Sequence, residues 1–184
     1  MAMRRWVCVL LLLFHAGLLC AATPAASDYA WPNLTDFLGQ LIHKLGPPVK
    51  VYKLKLDSDG KVDLWVQDQT RRDLIDSYEY DHGKIGGPFP VKFDHYPTIA
   101  ALDYHVIELT TIDFQRLPDM LARAREALNL PDARISYIEL ERGDSGGKHP
   151  HRNLAIWNFR LNSARHDGSV QFDLAGQVLH VDKD

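Results

Sequence analysis

Cysteine is almost absent from this chain: two residues in 184, at positions 8 and 20. That scarcity excludes a disulfide-dense mini-protein and a four-thiolate zinc site. An excess of basic charge is also missing. Lys and Arg number 21 against 24 Asp and Glu, a formal net charge of -3, which argues against a general nucleic-acid binder. The motifs that name a reaction are missing too: no Gly-x-Ser-x-Gly elbow, no His-Glu-x-x-His helix and no phosphate-binding Gly-x-x-x-x-Gly-Lys-Ser loop. No cofactor is therefore expected. What is present, 46% hydrophobic and 24% charged residues, is the composition of a folded protein with a real core.

The first thirty residues read as an export leader. Arg4 and Arg5 precede an apolar run over residues 6–19, which is followed by small residues. That run is short of the roughly 20 residues a membrane-spanning helix needs and has the layout of a secretory signal peptide. Cys20-Ala21-Ala22 supplies the small residues that signal peptidase reads, so residues 1–22 are expected to be a signal peptide cleaved after Ala22. The alternative is lipidation of Cys20, although Leu19 stands where a lipobox has a small residue. Removing the leader takes away both cysteines and two positive charges, leaving 19 basic against 24 acidic residues and a net charge of -5. The expected location is the periplasm or the medium, with an outer-membrane lipoprotein as the alternative. The only membrane contact foreseen is a lipid at Cys20. Residues 23–32 are rich in Ala and lack periodicity, as a linker would.

Beyond the leader, one pattern occurs twice. Leu34, Phe37, Leu38, Leu41, Ile42 and Leu45 lie on one helical stripe, with Asn33 as N-cap and Gly46-Pro47-Pro48 as stop. Strands follow over residues 49–57, 61–68 and 73–80, the first with a shift of phase between Val51 and Leu54. In the second half, Leu117, Met120, Leu121, Ala124 and Leu128 repeat the helical stripe. Strands over 133–141, 153–162, 168–174 and 177–181 come after it. In the first of these the inward set is either Ile135, Tyr137 and Glu139 or Ile138 and Leu140. The alignment sets Leu64-Trp65-Val66 against Ile156-Trp157-Asn158, and Tyr80-Asp81 against Phe172-Asp173. The segment between the copies, 88–113, is punctuated by Pro88, Pro90 and Pro97, with a strand-like stretch over 102–109.

The expected fold class is α+β: two repeated units, each a helix packed on an antiparallel β-sheet, over residues 33–97 and 98–184. The order of elements resembles the PepSY domain family. Residues 121–130, 135–140, Trp157 and Phe172-Asp173 through Gly176-Gln177-Val178 carry the resemblance in the second copy. In the first copy Trp65 and Gly83 carry it, while Gly86-Gly87-Pro88 departs from the pattern. The resemblance implies an exported binding or inhibitory role without catalytic residues.

The candidate site residues are Trp65 and Trp157, as aromatic anchors if they face outward, and the loop over 142–152, with Asp144, Lys148, His149 and His151. His149-Pro150-His151 with Asp144 could attract zinc or copper, but a third and fourth ligand are lacking and a solvated loop is the commoner explanation, so no metal is assigned. Gly143-Asp144-Ser145-Gly146-Gly147 resembles the nucleophile segment of trypsin-like proteases, yet the chain has no room for their two barrels. Asp57, Asp59 and Asp63 surround a tight turn, where Asp serves backbone conformation. The reading is thus an exported, non-enzymatic binding protein, an inhibitor or modulator of an envelope or secreted enzyme. Its partner is another exported protein and not a nucleic acid. The alternatives are a small metal-dependent hydrolase using Asp144, His149 and His151, and a structural envelope protein.

Overall fold

The computed structural model describes residues 34–95, 97–143 and 153–183. The leader, Cys20 and the linker lie outside the described residues. Helix α1 (Leu34–Leu45) buries Phe37 and Leu41 and ends at Gly46, whose φ of +71° suits a residue without a side chain. Strands β1 (Lys50–Asp57), β2 (Val62–Gln67), β3 (Ile75–Asp81) and β4 (Lys84–Pro90) follow as antiparallel neighbours. A short helix α2 (Ile99–His105), capped by Thr98 Oγ1, leads to the two-residue strand β5 (Ile107–Glu108). Helix α3 (Leu117–Leu128) begins with proline in its first turn and ends at Asn129, with φ of +56°. Strands β6 (Arg134–Arg142), β7 (Ala155–Asn162), β8 (Asp167–Asp173) and β9 (Val178–Lys183) complete the chain.

The expectation of an α+β fold of two repeated units, each a helix packed on an antiparallel sheet, is corrected. All nine strands belong to one sheet, in the order β4-β3-β2-β1-β6-β7-β8-β9 with β5 beside β1. The junction is β1 against β6, antiparallel from Lys53↔Glu141 to Asp57↔Tyr137. The physical reason lies in the edges: two separate sheets would each leave β1 or β6 with a row of unpaired backbone groups. Pairing these strands also places Leu54 opposite Leu140 and Leu56 opposite Ile138, all four fully buried. One apolar cluster accordingly runs from Phe37 and Tyr80 under α1 to Phe159 and Phe172 under α3. The fold is dominated by the sheet, with α1 and α3 on one face.

Two bulges explain the ambiguous phases in the sequence. Register shifts between Val51 and Lys53 in β1, and between Ile135 and Tyr137 in β6. Each adds a residue to its strand, so Val51 and Leu54, like Ile135 and Ile138, can both point inward. The strand expected over 102–109 is mostly helix; only Ile107 and Glu108 pair. β4 extends through Gly86-Gly87-Pro88, which the sequence pattern had set aside as foreign.

Candidate functional site

The sheet face opposite α1 and α3 is where the candidate residues separate. In β2, Val62, Leu64 and Val66 are buried in the main cluster, so Asp63, Trp65 and Gln67 project to the other side. Trp65 is half-buried there, opposite Lys53 in β1 and Ser77 in β3. Trp157 does the reverse. It pairs with Leu140, is 1% exposed and meets the Phe114 ring edge-on at 6.0 Å, inside the core. The alignment of the two tryptophans is therefore out by one residue: Leu64, not Trp65, has the orientation of Trp157. A single step along a strand exchanges its faces. Trp157 as a partner-binding anchor is corrected accordingly.

Around Trp65 the face is aromatic. Tyr52 stacks on it with centroids 6.2 Å apart and planes at 15°, and Phe93 meets it edge-on at 6.4 Å. Tyr52 also touches Phe93 at 5.8 Å and His105 at 6.1 Å. The extra residue of the β1 bulge puts Tyr52 here; no periodicity in the sequence would have chosen it. α2 covers the same end of the face. Gln67, buried among polar groups, donates from Nε2 to Asp103 Oδ1 and to the Arg72 carbonyl, while Arg72 also pairs with Asp103. The Asp103 carboxyl is held below its ordinary value, first by the Gln67 hydrogen bond and then by the Arg72 charge.

The aromatic chain continues from His105 to Tyr104 at 5.3 Å, and the Arg142 guanidinium lies over the Tyr104 ring at 5.8 Å. Tyr104 Oη donates to Asn153 Oδ1, and Arg142 Nη1 donates to the Asn153 carbonyl at 2.7 Å. Arg142 and Asn153 flank the loop singled out in the sequence, so its two ends and Trp65 are joined through one set of contacts. Asp144, Lys148, His149 and His151 themselves lie outside the described residues. Among the described residues no group of three or more His, Cys, Asp or Glu could hold a metal ion.

Across the rest of the face, charges are mostly paired. Lys53 Nζ meets Glu139 at 2.7 Å, and Lys55 Nζ meets Asp57 at 2.8 Å and lies over the Tyr137 ring at 5.2 Å. That hydrogen bond to Asp57 is the main reason the Lys55 ammonium is raised above its ordinary value. Asp63 and Glu79 sit directly opposite one another on β2 and β3, and neither has an ion-pair partner among the described residues. Burial, then the Asp57 and Glu79 charges, push the Asp63 carboxyl above its ordinary value, against the pull of Lys55, directly opposite on β1, and of Lys61. Farther across, Asn158 and Gln171 are cross-strand neighbours whose side-chain oxygens are buried without a hydrogen-bond partner.

No protein-family model matches the chain, and no curated protein matches it. The PepSY resemblance thus has no support from a family model. No helix among the described residues is long and apolar enough to cross a membrane. Among solved structures, the fold is similar to that of a candidate lipoprotein from Clostridium difficile 630. The two share a TM-score of 0.55 and 15% identity, with 82% of this chain and 91% of that one covered. At this identity the likeness is one of fold.

Proposed function

We propose that the chain is an exported, non-enzymatic binding protein that engages another exported protein through the sheet face opposite α1 and α3, as an inhibitor or modulator of an envelope or secreted enzyme. The observation that carries this reading is Trp65: a half-buried tryptophan on the sheet face opposite α1 and α3, at the centre of an aromatic patch with Tyr52 and Phe93. A sheet face that only met water would have no need of that aromatic surface, whereas interface anchors are drawn from Trp and Tyr. The leader-like first 22 residues and the fold shared with a candidate lipoprotein support an envelope or extracellular setting.

The test is capture from the exported-protein fraction of the source cell, with the wild-type chain and with Trp65→Ala as baits. A protein retained by the wild type and lost by the variant supports the reading. Equal retention by both, or repeated recovery of nothing, contradicts it.

A further inference from the structure

This inference rests on the reading above and gives its partner a chemistry. On the sheet face opposite α1 and α3, Phe89 of β4, Ser77 of β3 and Trp65 of β2 stand side by side in the pairing register. Strands are spaced about 4.8 Å apart, so Trp65 and Phe89 leave their backbones about 10 Å apart with only a serine between them. Phe89 is 47% exposed, and its ring lies close over Gly86, the residue paired with Glu79. The next step along the strands brings Glu79 and Asp63. The register therefore outlines a notch: a small residue for a floor, an aromatic position on the strand to each side, and two carboxylates one step along, where the Phe89 ring leans.

The charges around this notch do not balance. Lys53 is taken by Glu139 and Lys55 by Asp57, and the Lys61 ammonium is held by Asp59 at 3.3 Å. Carboxylates placed directly opposite on neighbouring strands repel each other. Lys55, across β1 from Asp63, attracts it but makes its hydrogen bond to Asp57, and neither Asp63 nor Glu79 has an ion pair within 4 Å among the described residues. The Asp63 carboxyl is raised first by its burial, with Asp57 and Glu79 adding to it and Lys55 and Lys61 opposing. A cation entering between Trp65 and Phe89 would come within the roughly 6 Å over which a ring attracts it, while reaching both carboxylates.

We propose that this notch receives a protruding arginine or lysine side chain of the protein partner, with Trp65 and Phe89 flanking its aliphatic stem and Asp63 and Glu79 taking its charge.

A blocked Gly-Gly-Arg-Gly-Gly peptide is the probe, titrated into the protein and followed by two-dimensional amide NMR; the same peptide with citrulline, neutral but nearly isosteric, is the control. The expected result is a set of shifts centred on the Trp65 indole N–H, Ser77, Glu79 and Phe89, at least about tenfold weaker with citrulline and in the Asp63→Asn/Glu79→Gln variant. Those two changes remove a repulsion, so thermal unfolding of the variant is expected to match or exceed the wild type and to show that it folds. Equal shifts from both peptides, undiminished binding in the folded variant, or shifts centred elsewhere would overturn the proposal. Should a captured partner depend on Trp65 but be indifferent to Asp63→Asn/Glu79→Gln, the binding face stands and the cationic side chain is refuted.

Discussion

Replacing each tryptophan by alanine separates the two faces of the sheet. Trp157 is 1% exposed, and its strand neighbours Leu140 and Phe172 are fully buried. Paired strands on both sides keep the space from collapsing, so Trp157→Ala should cost about 3–5 kcal/mol, the usual range for a buried tryptophan. The lost edge-on contact with Phe114 belongs to that total. For a domain of this size about 2–4 °C accompanies each kcal/mol, which puts the fall in Tm at about 6–20 °C. Trp65 has one open side and loses chiefly its contacts with Tyr52 and Phe93, so Trp65→Ala should cost about 1–2 kcal/mol. Urea unfolding followed by far-UV circular dichroism, with calorimetry for Tm, measures both. The reasoning fails if Trp65→Ala is the more damaging change, or if the two are equal.

Three further perturbations probe the packing and charges described above. At Gly168 an added Cβ would sit 2.5 Å from Leu128 Cδ2 and 2.9 Å from the Asp182 carbonyl, so Gly168→Ala should destabilise by about 1–3 kcal/mol in urea unfolding as α3 is pushed off β8. Because the Asp63 carboxyl is raised in the folded state, its ionised form weakens the fold. Asp63→Asn should therefore add about 0.2–1 kcal/mol at neutral pH, an advantage that vanishes as pH falls below the ordinary carboxylate range. Asp103 is shifted the opposite way, so its contribution is present above the ordinary carboxylate value and disappears as pH falls through the lowered one. Asp103→Asn should speed amide exchange in α2 at neutral pH and converge with the wild type in acid.

The periodic elements were legible from the sequence because each carries one unambiguous period. α1 and α3 occur where the 3.6-residue stripes predict them, and β8 throughout and β7 from Trp157 onward alternate. What escaped depends on distant pairing. The phase shift in β1 and the two possible phases of β6 are visible in the sequence, but no Gly or Pro marks the bulges that cause them. Trp65 and Trp157 look equivalent when sequence neighbours are aligned, yet cross-strand register puts them on opposite faces. The pairing of β1 with β6 joins residues from Asp57 with Tyr137 to Lys53 with Glu141, far apart in the chain, and no local signal distinguishes it from two separate sheets. Of the candidate site, Trp65 was visible in the sequence. Tyr52, Phe93, Asp63 and Glu79 became part of it only through the register.

The central claim, that the sheet face opposite α1 and α3 is the working surface, is tested most directly by site-specific photo-crosslinking in the intact cell. A benzophenone amino acid replaces Phe89 on that face in one variant, and Ile42, exposed on α1, in another. A discrete adduct from position 89 and none from position 42 is the predicted result. Adducts from position 42 alone, or none from either position, would contradict it.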